Sequence, residues 1–200
     1  MSLVSCLFAS TKTSTAVVRY PLEVVVNGTT TKPKPPARLK VAEVISWKGS
    51  MAQSLVNQKN LPDVSGVVLF DPEEVSASDV PMGCRIDILA DDIVTGTVNN
   101  GAGYSAGATA MSIDAMTGAV KNFDTFYVLG ETGSPEHEIS SVTLTNGVST
   151  AIKFTPALAS NVLDNTVIMF YPILSRMSAI YPDNILNQGD VLMVPVKDYV

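Results

Sequence analysis

From Ser105 to Phe170 the chain never runs far without a turn residue, which leaves room for short β-strands and little else. Ala108–Asp114 alternates small or apolar with polar positions, and Phe123–Leu129 is aromatic and β-branched. Glu138–Thr145 runs into Asn146-Gly147, Thr150–Phe154 follows, and Asn165-Thr166 precedes Val167–Tyr171. A period of two presents one set of side chains to a buried face, and Asn-Gly is the strongest short hairpin signal. At least five short strands in under seventy residues predict a small barrel or sandwich. The expected class is mainly β, a β-barrel or sandwich module with an extended N-terminal arm and at most one or two short helices.

The same reading extends along the chain. Val18, Tyr20, Leu22, Val24 and Val26 alternate with Arg19, Pro21 and Glu23, as in a strand with one wet face. Pro21 points to an edge or a bulge there. Asn27-Gly28 is a turn, and Pro33, Pro35 and Pro36 favour extended polyproline II structure in a linker. Leu39–Gln58 is ambiguous: Val41, Val44, Ile45, Met51 and Leu55 suit one short helix that Gly49 would interrupt. Val64–Phe70 and the CRIDIL stretch within Val80–Ala90 read as strands, and Pro72-Glu73-Glu74 as a helical turn. Asn99–Ala108, rich in Gly, Ala and Ser, reads as a flexible loop or module boundary. The expected division is 1–38 as arm, strand and linker, 39–100 as a mixed, mostly β region, 101–172 as the module, and 173–200 as a strand or arm returning to 39–100. Lys121–Phe126 and Asn187–Leu192 echo each other, each a turn with an acid before an apolar strand. Generic strand-entry chemistry explains this without a repeat.

Composition narrows the function. Only 16% of the 200 residues are charged, and mean hydropathy is +0.26. No apolar run reaches the eighteen residues a spanning helix needs, because Arg19, Glu23 and Asp71 interrupt the candidates. Apolar composition without such a span predicts subunit contacts over part of the surface. The net charge of −6 repels free nucleic acid. The cluster Lys32, Lys34, Arg38 and Lys40 reads as a solvated linker, with a phosphate contact or a docking arm as the alternative. Cys6 and Cys84 fit no zinc or redox spacing and read as buried thiols. The start of the chain has no basic n-region and reads as an arm, not a signal peptide.

Candidate chemistry is sparse. His137, the only histidine, lies in GSPEHE and reads as an exposed loop residue. One histidine cannot build a His-based zinc site, and no G-x-S-x-G surrounds a serine. Asp91-Asp92 and Asp71 with Glu73-Glu74 read as solvated loop acids, with adventitious Ca²⁺ as the alternative. Gly101-x-Gly103, continuing to Gly107, lacks the rest of a phosphate loop and leads into a strand. No catalytic residue, cofactor or metal site is expected.

AGATAMSIDAMTG, VKNFDTFYVLGE, EISSVTLT and FTPALASNVLDNTVI together resemble a segment of structural proteins from tailed double-stranded DNA bacteriophages, particularly head and coat-associated proteins. The resemblance covers about a third of the chain. In that pattern a turn commonly written Gly-Asp precedes the apolar strand; here Asn122-Phe123 precedes Asp124. The resemblance implies a non-enzymatic virion protein, most simply a capsid decoration (cement) protein on the capsid surface. Its implied partners are the viral major coat protein and itself, as a homotrimer or other homo-oligomer, with no free nucleic acid and no membrane. Partner binding is then expected in the N-terminal region, by strand addition through Val18, Tyr20, Leu22 and Val24, with Pro33, Pro35 and Pro36 as a stiff spacer. The acidic barrel would face solvent. The alternatives are a head–tail connector, tail-tube or fibre-base protein, or a carbohydrate-binding adhesion module. The last needs exposed aromatics near Tyr104, Phe126 and Tyr127, and alternation buries at least one of the latter two. An enzyme using Asp91, Asp92 or His137 is the remaining class.

Overall fold

A computed structural model describes residues 14–20, 25–26, 29–30, 37–46, 64–71, 74–81, 83–180, 186–188 and 191–198. In chain order the strands are β1 (Ser14–Arg19), β2 (Val25–Val26), β3 (Thr29–Thr30), β4 (Ala37–Ser46), β5 (Gly66–Phe70), β6 (Arg85–Leu89), β7 (Val94–Val98) and β8 (Ala110–Asp114). They continue as β9 (Thr125–Val128), β10 (His137–Thr145), β11 (Val148–Thr155), β12 (Val167–Tyr171), β13 (Ile173–Ala179), β14 (Leu186–Gln188) and β15 (Val191–Asp198). The helical content among the described residues is one 3-10 turn, Ala77–Asp79. The protein is mainly β, as the alternation requires.

Two compact units divide the chain. The first combines residues 1–89 with 174–200, and the second is residues 90–173, inserted between β6 and the body of β13. The first unit is a curled sheet in the order β13-β6-β1-β4-β5-β15-β14. Because β13 also pairs with β15, the ladder returns on itself. Ala16, Val18, Val68, Phe70, Ile86, Ile88, Met177, Leu192 and Val194 form its core with Cys84. Burial pushes the Cys84 thiol up to about 12, so it packs as an inert apolar group.

The second unit is a closed barrel in the order β10-β11-β8-β7-β12-β9. Phe126 meets Phe154 edge-on and Phe170 at a tilt at its centre, among Met111, Ile113, Val128, Ile139, Ile152 and Ile168. The β10–β11 hairpin turns through Asn146 (φ 51°) and Gly147 (φ 80°), the double positive φ that suits Asn-Gly. β7 carries Gly96 for a steric reason: a Cβ there would strike Met116 Sδ and crowd the Asp114 carbonyl.

Several expectations change. The barrel unit starts at Ala90, not 101, because β7 closes it. The Asn99–Ala108 segment is a fixed loop inside this unit, tied by the Tyr104–Val162 bridge and the Gly103 N–H to the Asn100 carbonyl. Leu39–Ser46 belongs to a ten-residue strand, β4, where a helix had seemed possible. It pairs with β1 on one side and β5 on the other, and those partners override its helix-like spacing. β1 is no edge strand and has no wet face: β4 and β6 flank it, and Val17 is buried like Val18. Leu22, Val24, Pro21, Pro33, Pro35, Pro36, Cys6 and the Gly189-Asp190 turn lie outside the described residues.

Candidate functional site

His137 is the residue on which catalytic chemistry would most naturally rest, and it is fully enclosed. It opens β10, and alternation places it on the inward face with Ile139, between half-buried Glu136 and Glu138. The ring stacks on Phe126 at 5.0 Å and meets Phe154 edge-on. Nδ1 lies 2.8 Å from the Pro156 carbonyl, which can only accept, so Nδ1 carries hydrogen and donates. Nε2 lies 2.8 Å from Glu131 Oε2, and one proton bridges that contact. Glu131 Oε1 accepts from the Ala159 N–H. Both side chains of this pair have no exposure, which corrects the expectation of an exposed loop histidine. The pair ties the 129–137 turn to the 156–159 turn.

The other buried carboxylates also serve the framework. Asp124 accepts from the Lys121 N–H (2.9 Å) and from the Ile173 N–H (2.9 Å), the strand-entry role its position suggests. Asp87 lies on β6 with no exposure. Arg19 Nε donates to its Oδ2 at 2.8 Å, Arg85 Nη2 to Oδ2 at 2.9 Å, and Arg176 Nε to Oδ1 at 2.9 Å. Arg19 and Arg85 face each other across β1 and β6, a repulsive pairing that the carboxylate between them offsets. Asp87 therefore links β1, β6 and β13.

Asp91 and Asp92 are exposed in the turn before β7; Asp71 is half-buried and Glu74 exposed, while Glu73 lies outside the described residues. The described residues contain no group of three or more His, Cys, Asp and Glu side chains that could hold a metal ion. No helix among them is long and apolar enough to cross a membrane. The glycine loop leads into β8, as expected, with Gly103 and Gly107 at positive φ. Of the aromatics that a carbohydrate-binding module would need exposed, Phe126 is buried, as alternation requires of one of the pair, and the Tyr104 hydroxyl accepts from the Ser112 N–H.

The expected partner-binding positions fall differently. Val18 has no exposure and belongs to the core of the first unit, so its side chain is not presented to a partner. The Tyr20 ring packs on that core and its hydroxyl donates to the Asp79 carbonyl at 2.9 Å. The reason is register: Val18 pairs with Ile86, placing its whole face inward.

Among the described residues, exposed large apolar side chains lie mostly on the barrel unit, with Leu174 of the first unit also exposed. Ile93, Phe123, Leu129, Leu144, Val148, Leu163 and Val167 are each exposed, Leu163 at 75%. Leu144 and Val148 mark the tip of the β10–β11 hairpin, a stretch with no charged residue from Ile139 to Ala151. Phe123 adopts φ 76°, a conformation suited to glycine, while 54% exposed. Sequence reasoning missed this surface because it turned the acidic barrel toward solvent and placed partner binding in the N-terminal region. The available signal was the uncharged outward positions of Val167–Tyr171.

No protein-family model matches the chain, and no curated protein resembles it at a significant level.

Proposed function

We propose that this protein is a non-enzymatic structural component of a virus particle, most specifically a decoration protein that stabilises a phage head by bridging coat subunits. The observation that carries the reading is the set of large apolar side chains exposed on the barrel unit. A protein that works by contact needs apolar surface kept outside its own core. The buried polar groups support the same reading: His137, Glu131, Asp124 and Asp87 all hold strands or turns together. The resemblance of Ser105–Phe170 to phage head proteins supplies the setting. Contacts repeated by symmetry would add avidity to individually modest interfaces. Major coat protein and further copies of this chain are its proposed partners, and the capsid surface its place.

Electron microscopy and quantitative protein staining of purified particles test the reading. Hundreds of copies spread over the shell are expected. A dozen or fewer at one vertex would replace decoration by a connector role, and absence from particles would overturn the virion reading.

A further inference from the structure

Alternation and register define the outer wall of the barrel along β7, β12 and β9. Gly96, Ile168 and Val128 form one inward row across the three strands. The neighbouring rows point outward. Thr97, Val167 and Leu129 make one: Val167 pairs with Thr97, and the Leu129 N–H donates to its carbonyl at 2.9 Å. Thr95, Met169 and Tyr127 make the next. Tyr171 lies beyond, its ring edge-on to Tyr127 at 5.7 Å, and Ile93 directly precedes β7. None of these eight residues is charged, and Ile93 (50%), Leu129 (59%) and Val167 (38%) are exposed. An antiparallel barrel in water ordinarily places polar residues at such positions.

The surroundings are acidic. Residues 90–173 hold eight carboxylates against Lys121 and Lys153, a formal −6 with the histidine neutral. Exposed Asp92 adjoins Ile93, exposed Asp114 sits opposite Thr97 and accepts its hydroxyl, and Asp164 follows Leu163 in the turn entering β12. Carboxylates thus stand at three sides of the face. Lys153 lies on β11, two strands from either flank of the face.

We propose that the β7–β12–β9 wall is the barrel's docking face, and that its occupant is a protein surface with an apolar centre and a Lys/Arg rim. This deepens the particle reading, on which it rests, and moves the main contact from the N-terminal region to the barrel. The charge argument selects the occupant. A second copy would bring −6 against −6 around the same patch, whereas a basic rim meets the acids and leaves the apolar centres to close.

The test uses the full chain and two probes. The first is a peptide of alternating Leu and Lys, compared with one of alternating Leu and Glu. The Leu/Lys peptide binds, and the Leu129→Ser/Val167→Ser double variant raises its Kd at least tenfold. A Leu144→Ser/Val148→Ser control, on the hairpin tip, changes it less than twofold. Raising NaCl from 50 to 500 mM weakens wild-type binding, and Asp92→Asn reduces that salt dependence. Should the double variant melt early, Ile93→Ser takes its place. Equal binding of the Leu/Glu peptide, or loss of binding only in the hairpin variant, overturns the proposal. So does self-association in sedimentation that the face variant abolishes, because the occupant is then a second copy. The second probe is phage particles stripped of this protein. Wild-type rebinding with equal rebinding of the face variant sinks the docking face and leaves the particle reading standing. Failure of the wild type to rebind, with the peptide results as expected, sinks the particle reading alone.

Discussion

The two units solve the same problem, a curled antiparallel sheet, with opposite use of charge. Outside residues 90–173 the chain has eleven acidic and eleven basic residues, so the first unit is formally neutral. Its described interior polar feature is one carboxylate, Asp87, gripped by three arginines from three strands. The barrel carries the chain's whole net charge on its acids. It encloses a shared-proton pair, His137–Glu131, against two phenylalanines, Phe126 and Phe154. Among the described residues, the buried charge of the first unit is the Asp87 cluster, whereas the barrel buries Asp124 and Glu131 and leaves Asp92 and Asp114 exposed beside an uncharged wall.

The sharpest way to break this comparison is Asp87→Ala. It leaves Arg19, Arg85 and Arg176 facing one another and is expected to cost about 3–5 kcal/mol in denaturant unfolding. Native-state hydrogen exchange should show protection lost in β1, β6 and β13 while β8, β11 and β12 keep theirs. Uniform loss in both units would mean that the contrast is only compositional.

Glu131 separates shape from charge in the barrel. Glu131→Ala orphans the His137 Nε2 and the Ala159 N–H and should cost about 3 kcal/mol. Glu131→Gln should cost about 1 kcal/mol, because its amide can donate to a neutral His137 while its oxygen still accepts from Ala159. Equal losses would show that the barrel, like the first unit, depends on an ion pair. The smallest effect is a gain. Phe123→Gly relieves a left-handed φ and should stabilise the barrel by up to about 1 kcal/mol, read as a higher melting midpoint. A loss would show that the exposed ring contributes more than its backbone strain costs.

What the sequence disclosed was the local part. β12 spans Val167–Tyr171, as its alternation indicates, and Asn146-Gly147 closes the β10–β11 hairpin, because both signals depend on neighbours in the chain. Asp124 at a strand entry was legible for the same reason. Val18 and His137 were misjudged because distant partners decide their environment. β1 becomes a central strand through β6, and Arg19 reaches a carboxylate 68 residues away. His137 looked exposed between two glutamates, although Ile139 in phase with it marked the inward face. The barrel boundary was missed because Gly96 weakens the strand signal of VTGTV. Only the close approach of Met116 and the Asp114 carbonyl shows that a side chain would be crowded there.

One small contact bears on the cost of closing the first unit. The Ala90 N–H donates to the Pro172 carbonyl at 2.8 Å, so the two ends of the inserted barrel are clasped together. As the chain leaves the ribosome, β6 emerges long before β13, its neighbour in the first unit. Bringing those strands together across 84 unstructured residues would cost about 4 kcal/mol of chain entropy. Once the barrel has folded, most of that cost has already been met within a contiguous segment, and β13 is delivered beside β6. A folded insertion thus lowers the chain-entropy cost of pairing β13 with β6.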